Sequence, residues 1–393
     1  MSGLVDRVIS LISCRDSQKG ESLFESLALE LFEFQYSTIL PYRKLCDRRL
    51  VTPSSIESWT QIPAVSTRAF KSFRLFSGDE TGAKVFKSSG TSDPISRSKV
   101  FFSESGVRLM ELAIVTNAAE RFFSGGPACR ILVLAPDPVE VSESIMSYGM
   151  NCLINNFGLQ GSRFAISSLE LDAEGLLSDL RKCVVENVPA AIVGSSFACL
   201  QFLEFMFSRN CRLELPAGSR LLHAGGYKGR TRELDAAAFK ETAVALLGID
   251  ARLVVNLLGM TELASQVYDV PANGLTAYTS RIECTRVASG LKEPPVWMRT
   301  LVVDPRRPDD EQLLNSGAGV VGLLRHFDLA NVERPLAIQT EDLAIGWPRT
   351  RHAKTSTGCV FEILGRAEKA EPRGCSLSSE DLLICSRAFG MAQ

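Results

Sequence analysis

With 393 residues, 45% of them hydrophobic, the chain is long enough to bury one large core or two ordinary ones, and it is not a disordered protein. Its net charge of -2 comes from 43 basic and 45 acidic residues mixed along the chain, which argues against nucleic acid as a partner. No uncharged apolar run approaches the ~18 residues of a membrane helix, so we expect no membrane span. The 11 cysteines are scattered without a CxxC pair, which predicts neither a disulfide framework nor a zinc site and fits the cytoplasm.

The hydrophobic pattern predicts helices and short strands that alternate along the chain. Leu23, Leu27, Leu31 and Phe34 recur at spacings of three and four, which predicts a helix before Pro41 interrupts the pattern. Aliphatic runs typical of strands follow at 83–87, 99–102, 131–134, 190–193, 221–222, 253–255, 320–324 and 360–364, with helical stretches at 197–207 and 234–247. This alternation predicts an α/β fold, in which ligands bind at strand ends.

A loop rich in hydroxyl groups lies between the strand-like runs 83–87 and 99–102. Its glycine lets backbone N–H groups approach a ligand, its hydroxyls donate hydrogen bonds, and Lys87 and Arg97 flank it, which together suit a phosphate chain. It is not a Walker loop, because GxxxxGK[ST] is absent, and a polar surface turn is the alternative. The predicted phosphate-binding residues are Ser88, Ser89, Gly90, Thr91 and Ser92.

A second loop, after the run 253–255, places the hydroxyl of Thr261 beside the carboxylate of Glu262. Such a pair is suited to hold a phosphate group and its Mg²⁺, so Glu262 is the candidate metal ligand. The alternative is the start of a helix that Thr261 caps, with Glu262 in its first turn.

A third loop follows the run 221–222 and contains Gly225 and Gly226. It leaves room for a planar base and a phosphate, with a tight turn as the alternative. We interpret His223, just before the glycines, as a hydrogen-bonded wall residue, because the sequence identifies no Ser or Cys partner that would make it a general base.

Two charged residues complete the set. Asp342 lies in what the sequence predicts to be an acidic strand end, where a carboxylate accepts hydrogen bonds from both ribose hydroxyls. Arg366 follows a glycine after the last strand-like run. Taken alone, the segment around Asp342 is equally typical of an exposed turn.

The order of these five elements resembles the adenylate-forming superfamily of acyl-CoA synthetases and related ligases. Within that superfamily the chain is most similar to LuxE-type acyl-protein synthetases, from the N-terminal helix almost to the end. Four segments carry the likeness, at residues 62–71, 223–230, 294–299 and 365–377. The resemblance implies the large α/β domain of these enzymes over residues 1–364 and a strongly shortened C-terminal region, residues 365–393.

The resemblance also implies ATP and Mg²⁺ as ligands and a role for each element. It assigns the ATP phosphates to Ser88 through Ser92, adenine to Gly225 and Gly226, phosphate and Mg²⁺ to Thr261 and Glu262, ribose to Asp342, and a position before a hinge to Arg366.

Larger members of the superfamily continue beyond the Gly-Arg pair and carry a catalytic lysine there, whereas this chain stops soon after Cys385. Attack of a carboxylate on the α-phosphate brings two anions together, so positive charge must replace that lysine. Lys228 is the first candidate and Lys87 the second. The alternative for Lys228 is a solvated loop lysine.

LuxE-type enzymes pass the acyl group from the adenylate to one of their own cysteines, and a partner acyl reductase converts the thioester to an aldehyde. Cys375 is the matching residue in this chain. It follows Arg373 and precedes a predicted helix start with Ser378 and Asp381 as a capping pair, and positive charge there favours the thiolate. The alternative is a cysteine packed as a small hydrophobic residue.

Three functions remain open from the sequence. We predict that the chain activates a carboxylic acid, expected to be a fatty acid, and transfers it to Cys375 for an acyl reductase. An aryl- or acyl-CoA ligase of the phenylacetate type is the second reading, against which the short C-terminal region argues. A non-catalytic binding protein is the third, since Asp93 replaces a loop glycine and Leu258 replaces an aromatic residue that stacks on adenine. We expect the acyl pocket between residues 147–158 and 194–197.

Overall fold

The computed structural model describes residues 2–14, 17–88, 97–168, 170–225, 236–271, 290–304, 319–349 and 358–367. Within these ranges the helices are α1 Ser2–Ile12, α2 Ser17–Thr38, α3 Leu40–Arg48, α4 Ala69–Ser72, α5 Glu104–Arg121, α6 Ile145–Phe157, α7 Ala173–Glu186, α8 Ser196–Ser208 and α9 Ala236–Leu247. The strands are β1 Val65–Ser66, β2 Lys84–Lys87, β3 Lys99–Phe102, β4 Arg130–Pro136, β5 Arg163–Ser167, β6 Glu170–Leu171, β7 Ala190–Ser195, β8 Arg220–Ala224, β9 Val254–Leu258, β10 Val267–Asp269, β11 Lys292–Glu293, β12 Met298–Val303, β13 Val320–Asp328, β14 Ala337–Pro348 and β15 Cys359–Arg366.

One half of the large sheet is parallel. Strands β9, β8, β7, β4 and β5 are neighbours in that order, and each adjacent pair runs in the same direction. Their sequences are nearly continuous aliphatic runs, because helices cover both faces and leave no side for polar residues. Along β4, Ile131 and Val133 join one core, whereas Leu132 and Leu134 join the other.

The two cores are covered by different helices. Helices α1, α2, α5 and α6 pack on the larger core, and α7, α8 and α9 pack on the smaller one. Several of these helices begin at a polar side chain that accepts a hydrogen bond from the first turn: Ser103 before α5, Asp172 before α7 and Ser195 before α8. The caps fix where each strand-to-helix connection turns, and therefore which residues stand at the ends of the strands.

The other half of the sheet is antiparallel. It continues from β9 through β10, β11, β15, β14 and β13 to β12. The short strand β1 adds to β14 in parallel, with Val65 beside Ile338 and Ser66 beside Gln339. Strands β2 and β3 form a separate antiparallel hairpin, from Lys84 opposite Phe102 to Lys87 opposite Lys99. That hairpin carries the hydroxyl-rich loop at its tip.

The α/β fold predicted from the sequence is confirmed, as are all eight strand-like runs and both helical stretches within the described ranges. The helix predicted before Pro41 is α2, and Pro41 itself lies in the first turn of α3, where its missing N–H costs nothing. No helix in the described ranges is both long enough and apolar enough to cross a membrane.

Candidate active site

The base of the hydroxyl-rich loop is closed by two hydrogen bonds between Ser88 and Ser98. The N–H of Ser88 donates to the carbonyl of Ser98 at 3.0 Å, and the N–H of Ser98 donates to the hydroxyl of Ser88 at 3.0 Å. These bonds continue the β2–β3 ladder to the point where the loop begins. The other predicted phosphate-binding residues, Ser89, Gly90, Thr91 and Ser92, lie outside the described residues.

Both cations that flank the loop are already held by acceptors. Lys87 forms an ion pair with Glu143, and its N–H donates to the carbonyl of Glu143 at 2.9 Å. Arg97 donates to the carbonyl of Ser88 at 2.5 Å and lies 3.4 Å from the Glu143 carboxylate. The hydrogen bond from Lys87 is the main reason why the pKa of Glu143 is lowered. Lys87 and Arg97 therefore fix the base of the loop.

Glu262 is a buried carboxylate next to that base. It is 6% exposed, and its side chain hydrogen-bonds with Ser98. Burial raises the pKa of Glu262, and the Ser98 hydrogen bond and the positive charges of Arg366 and Lys71 oppose that shift. Thr261, 8% exposed, lies beside it in a turn, so the alternative of a helix start at Thr261 is wrong.

The segment that carries Glu262 is anchored by a second buried carboxylate, Asp328. Its two oxygens accept hydrogen bonds from the N–H groups of Ala264, Ser265 and Ala330 at 3.1, 2.8 and 3.0 Å, and from the Ser265 hydroxyl at 2.8 Å. These four bonds replace the water that burial removes from the carboxylate.

Asn331 fixes the same segment from three residues further along the chain. Its amide N–H donates to the carbonyl of Glu262 at 2.9 Å, and its amide oxygen accepts from the N–H of Ala264 at 3.0 Å and from Arg334 at 2.8 Å. We refer to Asp328 and Asn331 as the Asp328 corner. The sequence predicted neither residue, because they lie more than 60 positions from the segment they hold.

Asp342 and Arg366 face each other across two antiparallel strands. They are register partners on β14 and β15, and Arg366 Nε lies 3.8 Å from Asp342 Oδ1. Burial raises the pKa of Asp342, and the charge of Arg366 opposes the shift. The prediction of a strand end at Asp342 is wrong: β14 continues to Pro348, with an irregular register just after Asp342. Such a bulge re-aims side chains within a strand.

Gly225 follows β8 directly, and its backbone is hydrogen-bonded to β9 and to the first residue of α8. Its N–H donates to the carbonyl of Leu257 on β9 at 3.4 Å, and its carbonyl accepts from the Ser196 hydroxyl at 2.6 Å. The φ of +75° at Gly225 lies in the left-handed region, where a side chain would be strained. Gly226 and Lys228 lie outside the described residues.

His223 has a serine partner that the sequence did not reveal. The Ser196 hydroxyl lies 2.8 Å from His223 Nδ1, and the amide nitrogen of Asn256 lies 3.1 Å from the same atom. Ser196 begins α8 after the neighbouring strand β7, so only the strand order shows that the two meet. Burial lowers the pKa of His223 to about 4, and the interpretation as a hydrogen-bonded wall residue agrees with these contacts.

The hydrogen bonds around His223 continue to a buried ion pair. Lys292, 2% exposed, donates to the side-chain oxygen of Asn256 at 2.7 Å and pairs with Asp269 at 2.9 Å. Asp269 in turn accepts from the N–H of Asn256 at 2.7 Å. We call Ser196, His223, Asn256, Asp269 and Lys292 the His223 network. Because Lys292 fixes the oxygen of Asn256, the amide nitrogen must face His223.

The structure thus links described residues of all five sequence elements. Arg366 acts electrostatically on both Glu262 and Asp342, and Ser98 joins Glu262 to the loop base. Gly225 connects to the strand that leads to Glu262. Cys375 lies outside the described residues, and among the described residues no three His, Cys, Asp or Glu side chains cluster as a metal site. A single carboxylate such as Glu262 nevertheless suits Mg²⁺, which takes most of its ligands from substrate phosphates and water.

Comparison with known structures shows that a solved CoA ligase has a similar fold. An open conformation of 2-hydroxyisobutyryl-CoA ligase in complex with 2-HIB-AMP and CoA is similar over 88% of this chain and 76% of its own, with a TM-score of 0.58 and 14% identity. A long-chain-fatty-acid-CoA ligase from Archaeoglobus fulgidus has a TM-score of 0.45 and 11% identity over 72% of this chain and 51% of its own. A keto acid-selecting adenylation domain has a TM-score of 0.42 and 13% identity, over 72% and 52%.

Sequence comparison supplies the family. No curated protein sequence matches the chain significantly. A family model described as acyl-protein synthetase, LuxE, matches residues 11–384, which is nearly the whole chain. The fold expected from the resemblance is confirmed, and the match supports activation of an acid by an adenylate-forming ligase. The chain belongs to the LuxE family of acyl-protein synthetases.

Proposed function

We propose that this protein uses ATP to convert a carboxylic acid, of the fatty-acid class, to an acyl-adenylate and then transfers the acyl group to Cys375. The thioester is the form delivered to an acyl reductase. The single observation that carries the proposal is the meeting of the loop base, Glu262 and the Asp342–Arg366 pair. We propose the division into residues 1–364 and 365–393 as the boundary between the adenylating domain and the acceptor segment.

Each group has a distinct task in the proposed adenylation. The loop from Ser88 to Ser92 holds the triphosphate through hydroxyl and N–H donors. Asp342 accepts hydrogen bonds from the ribose, and Gly225 and Gly226 leave space for adenine. Arg366, held near Asp342, balances the charge of that buried carboxylate.

Glu262 and Thr261 are the residues that would hold Mg²⁺ together with phosphate oxygens. Glu262 is suited to bind Mg²⁺ because a cation stabilises the charged form of a buried carboxylate that has one hydroxyl partner. When bound, Mg²⁺ neutralises part of the phosphate charge. The Asp328 corner keeps the Glu262 backbone in place for this purpose.

The decisive experiment is acyl transfer to the enzyme. The protein is incubated with ATP, Mg²⁺ and radiolabelled tetradecanoic acid, and protein-bound label is measured before and after neutral hydroxylamine, which cleaves thioesters. We expect labelling of the wild type that hydroxylamine removes, and none on Cys375→Ala. Cys385→Ala is the matched control, and it should label like the wild type.

Other outcomes separate the rival functions. Equal labelling of wild type and Cys375→Ala rejects Cys375 as the acceptor. An acyl-CoA product formed at the full rate by Cys375→Ala identifies a CoA ligase instead. Absence of carboxylate-dependent ATP–pyrophosphate exchange with octanoic, tetradecanoic and phenylacetic acids rejects adenylation altogether.

A further inference from the structure

Adenylation requires a cation that is free to meet the α-phosphate. The carboxylate oxygen forms a bond to the α-phosphorus, the bond from that phosphorus to the α,β-bridging oxygen breaks, and pyrophosphate leaves with the electron pair. Negative charge grows at the α-phosphate as the two anions approach, so positive charge held there lowers the barrier. A cation already neutralised by a protein carboxylate serves poorly.

Three cations near the site are committed to protein acceptors. Lys87 is paired with Glu143, and Arg97 is held by the Ser88 carbonyl and by Glu143. Arg68 forms an ion pair with Glu341. Each of these contacts fixes the cation on the framework around the site.

Lys71, in contrast, forms no ion pair or side-chain hydrogen bond with any residue that the structure describes. It is exposed at the end of α4, whereas Ala69 and Phe70 of the same helix are buried in the core. Its positive charge acts on the buried carboxylate of Glu262. The amine is therefore solvent-accessible and within electrostatic reach of Glu262.

Helix α4 is attached at the centre of the site. The N–H of Thr67, just before the helix, donates to the carbonyl of Gln339 at 3.1 Å, and Arg68 pairs with Glu341, the neighbour of Asp342. On its other side α4 contacts β3, which follows the phosphate loop. The segment that carries Lys71 is therefore held both to β14, which contains Asp342, and to β3 of the β2–β3 hairpin.

We propose that Lys71 is a catalytic residue that contacts the α-phosphate during attack of the carboxylate, supplying the cation of the adenylation step. This inference rests on the proposed function and adds to it. The two sequence candidates, Lys228 and Lys87, were chosen from loop position. Lys87 is bound to Glu143, whereas Lys71 forms no ion pair with a described residue and its charge reaches Glu262.

The test is carboxylate-dependent ATP–pyrophosphate exchange, with tetradecanoic acid as the probe, in wild type, Lys71→Ala and Lys71→Arg. We expect Lys71→Ala to lower kcat about 100-fold, and Lys71→Arg to recover at least a tenth of the wild-type rate, because it retains the charge. The dissociation constant for ATP, measured by calorimetry without acid, should change less than about threefold, since the charge acts mainly in the transition state. Lys99→Ala is the matched control: an exposed lysine on β3, whose loss should leave the rate within about twofold.

Each result decides a separate point. A wild type without exchange overturns the proposed function and this inference with it. An active wild type with an unchanged Lys71→Ala overturns the inference alone. A loss confined to ATP affinity, or an equal loss in Lys99→Ala, overturns it as well, and thermal unfolding of each variant confirms that the fold is intact.

Discussion

Glu262 and Asp328 are two buried carboxylates in one region of the molecule, but their surroundings differ. Asp328 accepts four hydrogen bonds from three residues, whereas the side chain of Glu262 has a hydroxyl partner in Ser98 and two cations at longer range. Burial raises the pKa of both. The difference is that the protein itself completes the surroundings of Asp328, while Glu262 retains capacity for a ligand.

The two carboxylates have different tasks: Asp328 holds the segment around Ala264 in place, and Glu262 in that segment is the candidate ligand-binding residue. Asp328 and Asn331 bind the backbone on both sides of Ala264, and Glu262 is two residues away. A carboxylate that is saturated by N–H donors resists displacement, and it transmits its rigidity to the neighbouring side chain. We therefore expect substitutions at the two carboxylates to produce opposite effects on stability and activity.

The largest expected effect is on stability, in Asp328→Ala. The substitution leaves the buried N–H groups of Ser265 and Ala330 without acceptors and removes one of the two acceptors of the Ala264 N–H, so we expect the free energy of unfolding to fall by about 4 kcal/mol. Urea denaturation followed by circular dichroism measures this loss. If stability is kept while pyrophosphate exchange is abolished, Asp328 belongs to the chemistry and the contrast with Glu262 fails.

Glu262→Gln should show the reverse pattern. Because the amide carries no charge, it is less costly to bury, and we expect the free energy of unfolding to stay within about 1 kcal/mol of the wild type. Loss of the charge near the phosphates should lower the exchange rate about 100-fold. The same denaturation series and exchange assay serve both variants. Marked destabilisation with normal exchange would make Glu262 a structural carboxylate.

Asp342→Asn tests the ribose side with a smaller effect. Loss of a charged acceptor should raise KM for ATP about tenfold while kcat changes little, because the ribose does not react. The matched measurement uses 2′-deoxy-ATP, which removes one hydroxyl from the wild-type contact. If Asp342 binds ribose, the variant discriminates less between the two nucleotides than the wild type does. Equal discrimination argues against that contact.

The sequence predicted the fold and the candidate site only in part. Local patterns were sufficient for the strand-like runs and for the order of the loops, because hydrophobic period and turn residues act over short distances. The position of Asp342 within a strand was missed, because a bulge depends on pairing with β15. Asn331 and Asp328 were missed for the same reason, since a hydrogen-bond partner more than 60 residues away leaves no local signal.

Lys71 and Ser196 lie in segments that the sequence analysis had selected, but the sequence did not predict their contacts. Lys71 lies in a segment that supported the family resemblance, yet its freedom from acidic partners within the described ranges is visible only in three dimensions. Ser196 lies in the segment 194–197, which the sequence analysis placed at the acyl pocket, and its contact with His223 depends on the parallel pairing of β7 with β8. The missing information is strand order for Ser196 and the positions of the acidic side chains for Lys71.

His223 extends the comparison of buried groups from the two carboxylates to a histidine. We expect its substitution to have the smallest effect of those considered. His223 contacts Ser196 and Asn256. Its pKa is lowered to about 4, mainly by burial, while the charge of Asp269 opposes the shift and those of Lys292 and Lys240 add to it. In the unfolded chain the pKa is about 6.5. The unfolded state binds the extra proton between these values, so the contribution of neutral His223 is present above about pH 6.5 and is lost as pH falls towards 4.

Between about pH 7 and pH 6 the wild type should therefore lose about 0.7 kcal/mol through His223, a loss that His223→Asn removes. Asparagine is the suitable replacement, because its side-chain oxygen stands near the position of Nδ1 and still accepts from Asn256. Its smaller side chain lowers stability at every pH by loosening the contact with Phe239, so the test is the slope between the two pH values and not the absolute value. Urea denaturation at both pH values measures it for the two proteins. If both lose the same amount, His223 is accessible to solvent in the folded protein. A shallower slope in the variant shows that His223 is buried and that its polar contacts are supplied by the protein, as they are for Asp328.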